Sequence, residues 1–305
     1  MIRRFVLLVA VVAVAVPAMA REMTSAYVVT SVANLTGLNG TDWHTDLTLY
    51  NPHQTVLYVK LVFLPTDRDN SSAPTAPLVD LQPWETLNLW DVLGPYGFDA
   101  RGDKGAILVY ADTAANNCPN TAGDTSCDFA VFARTYTLAP YGAGGEYGTD
   151  FPGFPASFGV GSSVIGYLPQ ISDDNDFRTN IGVASWTSDW VTVREDIQDT
   201  SGNIVGRYDH VIPPNGHEQW RLEARGLTGG TVAVYITSGP GDAMVYPYAT
   251  VLNNTTGDST AVEAQISKVG LSAQAASVRV VAARSVPKAL PVPTFSIEKL
   301  KHRAR

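Results

Sequence analysis

Apolar and polar positions alternate with a period of two through most of this chain. In Thr45-Asp46-Leu47-Thr48-Leu49-Tyr50-Asn51 the leucines fall on one face, and in Val191-Thr192-Val193-Arg194 the valines do. That is the pattern of strands with one buried face. Other short runs, Val56 to Leu64 and Val191 to Ile197, are rich in Val, Ile, Thr, Tyr and Leu. Asn51-Pro52, Ser201-Gly202-Asn203 and Pro214-Asn215-Gly216 supply turn chemistry between such runs. No stretch from 24 to 256 sustains a helical period, so the fold class is all-β.

The pattern occurs twice. Trp43-His44-Thr45-Asp46 is echoed by Phe177-Arg178-Thr179-Asn180, and Leu81-Gln82-Pro83 by Ile212-Pro213-Pro214. Leu87-Asn88-Leu89 matches Trp220-Arg221-Leu222. Arg101-Gly102-x-x-Gly105 matches Arg225-Gly226-x-x-Gly229, and Val131-Phe132 matches Val245-Tyr246. Order and spacing persist through these blocks, which predicts a tandem duplication. About seven short strands in about 100 residues per unit predict two immunoglobulin-like antiparallel β-sandwiches. Thr45/Asp46 and Thr179/Asn180 would satisfy backbone groups where a loop enters a sheet. Trp43 or Phe177 would then cap the core edge. A catalytic site would not survive the change of His44 to Arg178 and Asp46 to Asn180; a building unit would.

The ends change the picture. Arg3 and Arg4, the apolar run Phe5 to Val16, and Ala18-Met19-Ala20 have the three parts of a secretory signal cut after Ala20. No Cys follows the cut, so no lipid anchor is expected, and no later segment is apolar for long enough to span a bilayer. The predicted organisation is a signal at 1–20 and a first sandwich at 21–138. A Gly/Pro/aromatic linker follows at 139–162, then a second sandwich at 163–256 and a C-terminal extension at 257–305. Tyr147, Phe151, Phe154 and Phe158 of the linker are expected to pack at the domain junction rather than form an exposed platform. The extension holds two further strand-like runs, Val262–Val269 and Val278–Ala283, and ends in the basic FSIEKLKHRAR. Composition is 45% hydrophobic and 16% charged with a net charge of −8. Cores can form, and nucleic acid is excluded as a main partner. Cys118 and Cys127, alone and close together in an exported chain, predict a disulfide.

NGTDWHTDLTLYNP (Asn39–Pro52), ARTYT (Ala133–Thr137), GEYGTDFPGF (Gly145–Phe154) and DDNDFRTNIGVAS (Asp173–Ser185) together resemble a largely uncharacterised family of secreted bacterial proteins built from paired β-sandwich modules. The resemblance spans about 26–256. It implies fold and location, and carries over no activity and no catalytic residue.

Chemistry is harder to find. There is no Gly-x-Ser-x-Gly elbow, phosphate loop or dinucleotide fingerprint. His217-Glu218-Gln219-Trp220-Arg221 has Arg where a zinc helix needs its second His. Asp173-Asp174-Asn175-Asp176 is a candidate calcium loop, against the plainer reading of solvated turn acids. Sequons at Asn34, Asn39, Asn70, Asn253 and Asn254 are glycan acceptors only in a eukaryotic secretory path, and polar turns otherwise. Trp84, Trp90, Trp186 and Trp190 could present a carbohydrate platform or fill the sandwich cores. No cofactor is implied beyond the calcium candidate.

The function expected is an exported, non-enzymatic structural or adhesive protein, secreted or at the cell surface, with a periplasmic location as the variant. Its partners would be a protein or a glycan. The alternatives are a carbohydrate-binding module, a surface-polymer subunit that self-associates by strand addition through 278–283, and a hydrolase with a dispersed site.

Overall fold

A computed structural model describes residues 22–37, 40–118, 124–138 and 145–267, with the backbone alone at 279–280. The expected signal, the basic tail, and all but Arg279 and Val280 of the segment 278–283 lie outside the described residues. No helix among those described is long and apolar enough to cross a membrane.

The structure is predominantly β, in antiparallel sheets. The first nine strands are β1 (Ala26–Thr36), β2 (Asp42–Tyr50), β3 (Leu57–Pro65), β4 (Val79–Leu81), β5 (Thr86–Leu89), β6 (Asp103–Ala111), β7 (Ala130–Leu138), β8 (Glu146–Pro152) and β9 (Phe154–Pro155). The next nine are β10 (Ile165–Asp173), β11 (Phe177–Ser185), β12 (Val191–Gln198), β13 (Ile204–Ile212), β14 (His217–Arg221), β15 (Leu227–Ser238), β16 (Val245–Asn253), β17 (Ser259–Glu263) and β18 (Gln265–Ser267). A short β19 (Arg279–Val280) runs parallel to β13 of the same chain. One four-residue helix, α1 (Thr113–Asn116), follows β6.

These strands build four layers. Layer A is β5-β2-β7-β8, and layer B is β4-β3-β6-β1 with β9 beyond β1. Layer C is β14-β11-β16-β17, and layer D is β13-β12-β15-β10-β18 with β19 at its edge. Adding nine to each strand number of A and B yields the orders of C and D. The two glycine turns repeat as well. Gly102 and Gly226 both sit at positive φ, and their N–H groups donate to Asn34 O and Asp173 O, each at 2.7 Å. Only a residue without Cβ takes that conformation at no steric cost.

Alternation explains the cores. Leu47, Leu49, Leu61, Phe63, Ile107 and Val109 fill the space between A and B. Ile181, Val183, Val193, Ile197, Val232 and Val234 fill that between C and D. The opposite faces of B and C are also covered: Val28, Leu64, Ala106 and Leu108 of B meet Ala184 and Tyr246 of C, joined by Phe154. Burial on both faces is why Ala106-Ile107-Leu108-Val109 is continuously apolar rather than alternating. The layers therefore stack in the order A, B, C, D, and Tyr248 of C reaches into the first core beside Phe151, ring centroids 5.7 Å apart.

Three expectations change. Within the supposed linker, Glu146–Pro152 and Phe154–Pro155 are strands of the first unit, paired to β7 and β1. Gly and Pro hid them, yet an edge strand tolerates both. Phe151 and Phe154 pack inward, whereas Phe158 is 58% exposed. The second unit likewise runs past residue 256, because β17 and β18 complete layers C and D. Finally, Phe177 does not cap a core; its ring is exposed. Cys118 and Cys127 are bonded, with Cα atoms 5.9 Å apart, and close the loop after α1.

Candidate functional site

The outer face of layer C is set by the register of its strands. Asn180 lies between Arg221 and Thr250, Gly182 between Gln219 and Tyr248, and Ala184 between His217 and Tyr246. The last row is buried against layer B; moving outward along the strands, the face turns from apolar to polar. There it diverges from the first unit, and a cleft of about 290 Å³ opens. The facing wall comes from Ser31, Ala33 and Leu35 of β1, Lys104 of β6, Thr149 and Phe151 of β8, and the indole of Trp43. Gly37 is required beside that indole, since a Cβ there would strike Trp43 Nε1.

The floor is a closed chain of hydrogen bonds. Lys104 Nζ donates to Gln219 Oε1 (2.6 Å), and Gln219 Nε2 donates to the Tyr248 hydroxyl (3.2 Å). Tyr248 Oη and His217 Nε2 are 2.8 Å apart, His217 Nδ1 and Thr66 Oγ1 are 2.7 Å apart, and Thr66 donates to Lys104 O at 2.9 Å. One assignment satisfies every link: Tyr248 donates to Nε2, and a neutral His217 donates from Nδ1 to Thr66. Burial, with the Lys104 charge second, pushes the His217 pKa down to about 3. Burial also raises the Tyr248 phenol well above its ordinary value. Both shifts hold the pair in its neutral form, the His217 imidazole uncharged and the Tyr248 phenol protonated.

The rim carries the charge. Arg178 donates through Nη1 to Asn254 Oδ1 at 2.9 Å and has no acidic partner among the described residues. Burial and then the charge of Arg221 lower the pKa of Arg178, which places the two cations close together. Arg221 reaches Asp173 Oδ1 at 3.2 Å. Trp43, Asn180 and Thr250 line the cleft, and among the described residues none takes a hydrogen bond with their polar side-chain atoms. No Asp or Glu among the described residues lines it.

The residues singled out by sequence lie elsewhere. Asp173 is buried and accepts from Arg221 and from Ala224 N at 3.2 Å. Asp174 accepts from Asp176 N, Phe177 N and Thr228 Oγ1, and the last two of these donors lead in holding its carboxyl below the usual range. Asn175 O accepts from Asn254 Nδ2 at 3.1 Å, and Asp176 O from Asn254 N at 2.8 Å. Of the loop's carboxylates, Asp174 holds the turn itself and Asp173 is taken by Arg221 and Ala224, and among the described residues no group of three or more His, Cys, Asp or Glu is placed to hold a metal ion. Trp186 packs at a tilt against Tyr110 within the B/C contact, with centroids 5.8 Å apart, and Trp90 is half-buried. Trp84 (56% exposed) and Trp190 (44%) sit on turns of different units.

Lys104, Gln219 and Tyr248 escaped the sequence reading because they belong to different strands and units. The one trace is that aligned positions 44/178 and 46/180 trade His and Asp for Arg and Asn, a change a building unit tolerates equally and which therefore did not point to a site. A second depression, an apolar groove of about 1360 Å³, runs where the edge strands β8, β9, β17 and β18 come together. No family model matches the chain, and no curated protein matches it.

Proposed function

We propose that this chain is an exported, non-enzymatic binding protein with a structural or adhesive role outside the cell. In this reading two tandem immunoglobulin-like sandwiches, arising by duplication, are held rigidly back to back. The signal-like N-terminus, the disulfide, and the resemblance of its motifs to secreted paired-sandwich proteins support export. The observation that carries the reading is the inter-unit cleft. Unspent donors from both units converge there, while its histidine is sealed and neutral, as suits recognition rather than turnover.

The test is a glycan and matrix-protein panel probed with the wild-type chain and with Trp43→Ala and Asn180→Ala. Binding should be found, and both variants should weaken it. A partner retained in full by both would place recognition elsewhere. The apolar groove favours one alternative, a polymer subunit, because strand edges from all four layers end there and unpaired edges invite another strand. Light scattering separates the two: concentration-dependent growth beyond a monomer supports the polymer.

A further inference from the structure

We propose that the inter-unit cleft binds a carboxylate-bearing sugar, of the size of a single uronate residue, with Arg178 as the group that takes the carboxylate. The inference rests on the cleft being the recognition site. Arg178, without an acidic partner among the described residues, lines a cavity that has no Asp or Glu among its described lining residues, in a chain whose net charge is −8. Beside it stand Arg221, which pairs with Asp173, and Lys104, which donates to Gln219. Partial burial and, second to it, the charge of Arg221 lower the pKa of Arg178, a penalty on its cation. An anion would relieve it. Arg178 has spent Nη1 on a neutral amide oxygen and keeps the rest of a planar fork, the geometry that matches a carboxylate.

The remaining lining selects the class of anion. Asn180 and Thr250 present an amide and a hydroxyl, groups that both donate and accept and so suit a polyol ring, while the Gln219 amide beside them is held by Lys104 and Tyr248. The Trp43 indole adds an apolar wall with an N–H at its edge. An acidic peptide would draw on the cations and leave this set unused. A cavity of about 290 Å³ holds one sugar ring and little more.

The experiment is calorimetric titration of the full-length chain, freed of any signal, with galacturonate, galactose, acetate and sulfate at millimolar concentration. Galacturonate is expected to bind, and the other three to bind at least tenfold more weakly. Arg178→Gln should weaken galacturonate roughly tenfold or more, the scale of one charge-assisted contact, and leave galactose unchanged. Arg178→Lys, which keeps the charge and the fold but loses the fork, should fall between. Galactose binding as tightly as galacturonate overturns the anion assignment, as does an unaffected Arg178→Gln. Acetate or sulfate matching galacturonate overturns the sugar assignment, and so does the absence of binding by all four. Galacturonate binding that ignores both Arg178→Gln and Asn180→Ala would instead show that the cleft is not the recognition site.

Discussion

Tyr248 is the residue at which the halves are most committed to one another. Its ring lies across Gly182, where a Cβ would collide with Cζ, Cε1 and the hydroxyl, and its edge meets Phe151 of the first unit. Gly182→Ala should therefore destabilise the chain by about 1–3 kcal/mol, the usual cost of overpacking, read from urea unfolding. The neighbouring His217 gives a pH dependence. Its folded pKa of about 3 lies below the ordinary value near 6.5, so the unfolded chain takes up the proton first. Its contribution is complete above about pH 6.5 and is lost as pH falls toward about 3, at no more than about 1.4 kcal/mol per pH unit. Urea midpoints at about pH 7.5 and about pH 5 should show that loss, and His217→Gln should flatten the slope while lowering stability at both. A wild-type midpoint independent of pH over this range would contradict the buried neutral state.

At the scale of elements, the sequence was legible where one face is buried. Leu47 and Leu49 of β2 and Val191 and Val193 of β12 are all fully buried, as their alternation required. Thr45 and Thr179 hold backbone at equivalent places: Thr45 Oγ1 accepts from Ala33 N at 2.8 Å, and Thr179 Oγ1 donates to Ser172 O at 2.6 Å. Strand β8 was not legible, because Gly148 and Pro152 read as loop composition. In the ladder Gly148 is a close approach, with a Cβ there only 2.8 Å from Tyr136 Cβ. The cleft was illegible for another reason: periodicity assigns residues to faces, but not one unit's outer face to the other's. The disulfide is a local matter and was readable from spacing. Thiol labelling of the native chain should find no free thiol, and reduction should cost about 2–3 kcal/mol by the loop-entropy account. Two reactive thiols in the native chain would refute the bond.

At the scale of the molecule, the B/C contact makes the second unit dependent on the first. Residues 160–267, which include β17 and β18, should fold alone, because the core between C and D, Val160 included, is complete within them. That fragment would expose Tyr246 and Tyr248, buried in the whole chain, and should be markedly less stable than the full protein. Dispersed β-type amide shifts with an earlier urea midpoint are expected. A fragment that stays unfolded would mean the four layers form one indivisible unit. The central claim is that recognition occurs between the units rather than on exposed aromatic turns. Its most direct test is side-chain and backbone NMR shift mapping of the full-length chain with the strongest ligand from the panel. Shifts are predicted at the Trp43 indole N–H, the Asn180 and Gln219 amides and Thr250. Shifts confined to the turns carrying Trp84 and Trp190, with the cleft unmoved, would contradict it.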